Sequence, residues 1–426
     1  MHAALRLALA ATILTPLAVS PAAQADNVAG TSSFAVNKKR IDTSLGAMLT
    51  SGRAVGVSAL VWQGGQEGYF GAQGFADREA NRPMARDTLV NIFSMTKPVT
   101  GVALMTLWEA GKFGLDDPVA RYIPEFANAR FYAGKDANGV PLYRPATRPV
   151  LIRDLMRHTA GVPYGFTDTA PDILWKANNP LSLDNDLETA AKMIGGLPLT
   201  FDPGTQWSYS SGVDVQARLV EIFSGMKFSD YVDKTIFKPL GMKDSAWAQP
   251  AEKLPRFAAS YARTTTGMTR VPDEQTRALS WAGKKMTMGG AGICTTIDDY
   301  MRFARMLLGK GTLEGVRILR PSTIRLMSTD QLDPRITERL WLPGKGNVGF
   351  GLDFAVRTGQ PRDAKENRGA VGEFFWDGAA STLFWIDPAN DLAAVFFVQT
   401  FPFDGTLHHD FREAVYGADY LGPAGD

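Results

Sequence analysis

The sequence predicts an α/β protein in the α+β sense: one antiparallel sheet formed by both chain ends, flanked by helices, with a mainly helical lobe inserted between them. Three observations predict it. Strand-like runs gather near the two ends, helical periodicity fills the middle, and 426 residues that are 45% hydrophobic suffice for two packed lobes. The expected division is 1–25 as a leader, 26–95 with 335–426 as the sheet lobe, and 96–334 as the helical lobe.

The leader has Arg6, an apolar run from Leu7 to Val19, and Ala23-Gln24-Ala25 before Asp26. That is the layout of a secretory signal peptide, so the chain is expected to be exported, periplasmic or secreted. Pro16 and Pro21 argue against a long spanning helix there, and no second stretch has the length and apolarity of a membrane span. The run 55–63, Gly64-Gly65 and the run 67–77 read as a β-hairpin. Further strands are expected at 348–356, 369–375, 380–386 and 392–399, the last pair joined by a turn over 387–391. Helices are expected at 98–110, 187–194, 213–223, 228–237, 296–308 and 321–328, with a closing helix over 407–416. Residues 128–150, rich in Gly, Pro and Arg, read as a long surface excursion.

Charge excludes some functions. Lys+Arg 45 against Asp+Glu 44 leaves a formal net charge of +1, with no basic run, so neither a nucleic-acid partner nor an anionic membrane surface is expected. Cys294 stands alone, so no internal disulfide and no cysteine zinc site is expected. No metal or other cofactor is expected.

Histidine chemistry also fits poorly. No serine sits in a G-x-S-x-G frame, the pattern of the commonest Ser-His-Asp hydrolases. Of the four histidines, His2 is in the leader, and His408 and His409 are expected on the solvated face of the closing helix. His158, just before Gly161, reads as a structural histidine tying down a loop.

Lysine offers an alternative base. S-x-x-K occurs twice, at Ser94–Lys97 and Ser224–Lys227. Ser224-Gly225 reads as the C-terminal stop of a helix, at the negative end of its dipole. Pro98 is tolerated only in a first helical turn, so a helix must begin near Ser94, and the apolar residues after it make that helix buried. Ser94 then sits at the positive end, with Lys97 one turn on. A desolvated lysine amine can take a serine proton; equally, Ser94 could cap the helix and Lys97 point to water. Tyr209, in "WSYSSG" (207–212), reads as a second base whose pKa a neighbouring ammonium lowers, or as a core tyrosine. The run "FFWDGAAST" (374–382) reads as a strand whose small residues let a group approach the backbone, offering the Ala379 N–H to an oxyanion, or as a β-bulge.

Taken together, these pieces resemble the serine β-lactamase and penicillin-binding superfamily, and among its members the class C β-lactamases and their esterase relatives, the family VIII carboxylesterases. The segments 151–162, 201–221, 236–242 and 288–299 add to the likeness, which runs from about residue 40 to the end. The resemblance implies Ser94 as acyl-forming nucleophile, Lys97 and Tyr209 as its base pair, and the N–H groups of Ser94 and Ala379 as oxyanion hole. Two departures stand out. Tyr209-Ser210-Ser211 replaces Y-x-N, and Trp376-Asp377-Gly378 replaces K-T-G, whose lysine holds a β-lactam carboxylate. Trp376, Asp377 and Gly378 are therefore expected to bind substrate and to favour neutral esters, with Phe374 or Phe375 adding apolar surface and Asp377 repelling a carboxylate.

The expected function is a serine carboxylesterase acting on small-molecule esters through an acyl-enzyme. A β-lactamase or D-peptidase, an acyltransferase, and a non-catalytic sensor that stays acylated are the rivals. Mass spectrometry after fluorophosphonate treatment is expected to find the adduct on Ser94; an adduct on Ser224, or full activity in Ser94→Ala, would overturn the assignment.

Overall fold

The computed structural model describes residues 35–280 and 283–422; the leader expected over 1–25 lies outside the described residues. Its main sheet has eight strands. β1 (Gly56–Gln63) and β2 (Gln66–Asp77) form the hairpin, turned by Gly64 and Gly65 in the left-handed region, and β3 (Arg82–Pro83) follows. The C-terminal part supplies β4 (Val348–Phe350), β5 (Ala355–Arg357), β6 (Phe374–Asp377), β7 (Leu383–Asp387) and β8 (Leu392–Val398). The order is β4-β5-β6-β7-β8-β1-β2-β3, antiparallel throughout. The last strand to be made therefore lies between the first strand and β7, with Val57 opposite Val398 and Leu60 opposite Val395.

Every residue of β8 is buried, which is why its sequence is apolar without alternation. Consecutive residues face opposite layers. Phe396 stacks on Phe411 of the C-terminal helix (Gly405–Tyr416), while Phe397 meets Tyr300 of helix Ile297–Leu308. Helix α1 (Lys38–Thr50) joins the first layer: its stripe Ile41, Leu45 and Met48 is buried, and Arg40 Nε donates to Ala414 O at 2.7 Å.

Helix α2 (Thr96–Glu109) is the axis of the molecule. Thr96 to Met105 are all buried, so it is apolar on every side except where Lys97 interrupts it. It packs against helix α3 (Gly212–Ser224), which ends at left-handed Gly225.

Two expectations need correction and a third gains detail. The run 348–356 is two strands, because left-handed Asp353 (φ 62°) turns the chain between β4 and β5. Of 369–375 only Phe374 and Phe375 enter the sheet, and that strand runs on to Asp377. The excursion 128–150 is ordered as a hairpin, Arg130–Lys135 against Pro141–Pro145. Tyr132 and Tyr143 face each other across it with ring centroids 6.2 Å apart, a pairing its Gly and Pro content masks.

One glycine joins the sheet to the buried helix. A Cβ on Gly378 would lie 2.3 Å from Thr382 Oγ1 and 2.4 Å from Ile92 O. The end of β6 can thus press against the turn two residues before Ser94. Gly378→Ala is expected to destabilise the fold by about 1–3 kcal/mol through overpacking. It should also displace Ala379 from Ser94; chemical denaturation and a fluorophosphonate labelling rate, both unchanged, would contradict this.

Candidate active site

Ser94 lies in a 3-10 turn, Phe93–Met95, that runs directly into α2. The residue before it, Phe93, is left-handed (φ 45°), a conformation that costs a non-glycine residue on the order of 1 kcal/mol or more. Its ring is fixed edge-on against Phe401 at 5.4 Å. Pro98 sits within the first turn of α2, where its missing N–H removes no helical hydrogen bond.

Lys97 is fully buried, and its Nζ lies 3.2 Å from Ser94 Oγ and donates to Gly290 O at 2.7 Å. Burial pushes its pKa down to about 8, against the opposing pull of Asp214, Asp353 and Asp377. The ammonium also lies over the rings of Tyr209 (4.5 Å to the centroid) and Tyr164 (5.3 Å).

Tyr209 lies in an extended segment pinned on both sides. Trp207 N donates to Glu338 O at 2.8 Å, Ser208 N to His158 O at 3.0 Å, and Ser210 N to His158 Nδ1 at 3.2 Å. The expectation that a neighbouring ammonium lowers the Tyr209 pKa is not met. Burial raises it far above its ordinary value, and hydrogen bonding with Ser94 and Trp376 only partly opposes that. Lys97 Nζ lies 4.5 Å from the centre of the Tyr209 ring, and its charge does not offset the effect of burial on the phenol. Ser211, where Y-x-N would place asparagine, turns away and donates to Pro163 O at 2.6 Å.

Ser94, Tyr209, Trp376, Asp377, Gly378 and Ala379 line one cavity of about 470 Å³. Ala379 follows the end of β6, and among the described residues no group accepts a backbone hydrogen bond from its N–H. Trp376 Nε1 donates to Tyr209 Oη at 3.3 Å, so the indole N–H is already engaged.

Two expectations about these walls change. Phe374 packs edge-on against Phe354 in the core, and Phe375 lies under the Arg412 guanidinium; neither lines the cavity. Phe166, Trp341 and Phe403 supply its aromatic surface instead. Asp377 is not a free repelling charge, because it is paired with Lys345. That lysine, from the turn Leu342–Lys345, stands among the rings of Trp376, Trp341 and Phe403 at 5.0, 5.3 and 5.2 Å.

His158 is the loop-tying residue expected, buried with Nδ1 2.9 Å from Ser210 Oγ. His408 is not on a solvated face. It is buried, its Nε2 donating to Ser381 O at 2.9 Å, and burial brings its pKa down to about 4. The closing helix is covered there by the turn after β6, which helical periodicity alone could not reveal. Sequence reasoning also missed Tyr164, Asp172, Asp214 and Gly290. Asp172 accepts from the N–H groups of Tyr164, Gly165 and Thr167 at 2.8–2.9 Å and so shapes the loop that carries Phe166. The Asp in "PDIL" (171–174), in the first turn of a helix, was the available clue. Among the described residues no group of three or more His, Cys, Asp or Glu side chains could hold a metal ion, and no helix is long and apolar enough to cross a membrane.

A model of the family described as Beta-lactamase matches residues 41–417. The chain belongs to the beta-lactamase family. Protein Rv1367c of Mycobacterium tuberculosis is 34% identical over 383 residues, covering 88% of this chain and 92% of that protein. Esterase EstB of Burkholderia gladioli is 30% identical over 400 residues, covering 88% and 94%. Among solved structures, EstCE1, described as a hydrolase with promiscuous acyltransferase activity, superposes with a TM-score of 0.74 at 26% identity, covering 89% of this chain and 98% of that one. The beta-lactamase fold here is thus that of a family of serine hydrolases and acyltransferases.

Two outcomes are expected of this beta-lactamase-family site. With a p-nitrophenyl ester, kcat/KM should rise through about pH 8 as Lys97 loses its proton. Lys97→Ala and Tyr209→Phe should each lower kcat by about 10³-fold, and the double variant should be little worse, because one proton-transfer unit is being removed. Multiplying losses would show two independent roles.

Proposed function

We propose that this protein is a serine carboxylesterase that forms an acyl-enzyme on Ser94. The observation that carries the reading is the 3.2 Å approach of a fully buried Lys97 amine to the Oγ of Ser94, a residue that lines an aromatic cavity. The neutral amine gives one N–H to Gly290 O and turns its lone pair to the Ser94 hydroxyl. Ser94 Oγ bonds to the ester carbonyl carbon, its proton passing to Lys97. The carbonyl oxygen becomes an oxyanion facing the Ser94 and Ala379 N–H groups. As the ester C–O bond breaks, the proton passes by way of the Tyr209 hydroxyl to the departing alkoxide. Water then attacks the acyl carbon, yields its proton to the same pair, and Ser94 is reprotonated as the acid leaves.

Neutral esters suit this cavity better than β-lactams. The indole of Trp376 stands where the K-T-G lysine would meet a carboxylate, and its N–H is held by Tyr209. Lys345 reaches the cavity from another turn, but Asp377 neutralises it. A lost charge-assisted contact costs about 1.5–3 kcal/mol, or roughly 10–150-fold. EstB, named an esterase, supports ester cleavage. The acyltransferase activity in the description of EstCE1 supports a second reading, in which an alcohol replaces water on the same acyl-enzyme. Export to the periplasm or medium remains part of the proposal, motivated by the leader sequence.

Side-by-side assays test the preference. kcat/KM for a short-chain p-nitrophenyl ester should exceed that for a chromogenic cephalosporin by about 10²-fold or more. Trp376→Lys with Asp377→Thr should narrow the gap. Equal efficiency in the unmodified protein, or an unchanged ratio in the double variant, would refute it. Added alcohol that diverts the acyl group from released acid to a new ester would favour transfer.

A further inference from the structure

Lys97 has a second set of neighbours that the cavity does not include. Asp214 is in the first turn of α3, fully buried, where the helix dipole favours a carboxylate. Its Oδ1 accepts from Gly290 N at 3.0 Å. The carbonyl of that same Gly290 is the one that accepts from Lys97 Nζ at 2.7 Å. One residue thus bridges the carboxylate and the amine through its two backbone groups. The other carboxylate oxygen, Oδ2, is buried with no hydrogen-bond partner.

The bridge depends on two glycines. A Cβ on Gly290 would lie 3.0 Å from Asp214 Oδ2, 3.1 Å from Lys97 Nζ and 3.1 Å from Tyr164 Oη, so three polar groups converge on the space beside it. A Cβ on Gly289 would lie 2.5 Å from Val213 O. Gly289 O in turn accepts from Thr100 Oγ1 at 2.7 Å, one turn along from Lys97 on α2. The pair Gly289-Gly290 is therefore clamped between α2 and α3.

Other charged or titratable groups face Lys97. Asp353 accepts from Gln216 Nε2 at 3.1 Å and presses on Gly101; Asp377 is paired with Lys345; His158, Tyr164 and Tyr209 are neutral, held so by burial. Of the three carboxylates, Asp214 alone shares a hydrogen-bonding residue with the lysine.

We propose that Asp214 is a positioning residue for the reaction: by holding the Gly290 N–H it aims the Gly290 carbonyl at Lys97, and its second oxygen balances the positive charge that Lys97 carries after taking the Ser94 proton. Asp214 itself gains and loses no proton in this scheme. Lys97 alternates between amine and ammonium, and the carboxylate stays ionised opposite it. The inference rests on the reading of Lys97 as the base.

Asp214→Asn tests it, because the amide keeps an acceptor for Gly290 N and loses the charge. Removing a negative charge from beside an ammonium favours the amine. With p-nitrophenyl acetate, the acid limb of the kcat/KM profile should move to lower pH by about one unit. The alkaline plateau should fall about tenfold, because a weaker base now takes the proton. A role confined to packing would lower the yield of folded enzyme and its melting temperature without moving the limb, and an unmoved limb overturns the proposal. Should the Asn variant fail to fold, Gly290→Ala replaces it: its methyl group would separate Asp214 from Lys97, and the limb should move the same way, an unmoved limb again being the overturning result. Lys97→Ala read in parallel keeps the two inferences apart. A parent-like profile in Lys97→Ala refutes the base assignment itself; lost turnover there, with an unmoved limb in Asp214→Asn, refutes only the role of Asp214.

Discussion

The structure depends on placing one amine where water cannot reach it. Lys97 occupies the second position of a helix that is otherwise apolar on every side, and the protein had to be arranged around that exception. A lone ammonium in such a place would simply lose its proton. Here three buried carboxylates, two aromatic faces and a backbone carbonyl oppose that loss without cancelling it. The balance leaves an amine that can hold or release a proton near neutrality, at hydrogen-bonding distance from a hydroxyl. The strained turn at Phe93, the proline at 98 and the glycines at 289, 290 and 378 are all means of bringing backbone close to this point.

The tyrosine has a different part from the lysine. Its hydroxyl receives the Trp376 indole N–H, and its ring bears the Lys97 ammonium, so one side chain touches that lysine and the wall of the cavity together. In the proposed mechanism, substrate shape and proton transfer are thereby mechanically linked. A change at Trp376 alters the setting of Tyr209 as well as the room available to an acyl group. The Lys345–Asp377 pair lines both the catalytic cavity and a neighbouring one of about 640 Å³, and so forms a polar partition in otherwise aromatic walls.

Much of this was legible from residues alone, for reasons that are local. Pro98 fixed where α2 could begin, Gly225 where α3 must end, and Gly64-Gly65 where the hairpin turns. The small residues after Trp376 announced a close approach, and Gly378 against Ile92 O is that approach. What escaped reading depends on contacts between distant segments. No spacing pairs Lys345 with Asp377, and nothing near Asp214 reveals that Gly290 will come to lie between it and Lys97. The direction of the Tyr209 shift failed for the same reason. How deeply packing buries a phenol decides its shift, and proximity to a lysine in a motif carries no such information.

The strand order has a kinetic consequence. β1 and β2 are complete within the first fifth of the chain, yet β1's other neighbour, β8, is made more than three hundred residues later. Until then the hairpin presents a bare edge of unpaired backbone groups, and so does β7. Pairings this remote in sequence close slowly, because a long loop must be confined before any contact rewards it. The nascent chain therefore passes through a long interval with its central helix made and no sheet to rest on. Its folding should be coupled to the arrival of the C-terminal segment, and the species at risk of self-association is the one that lacks β8.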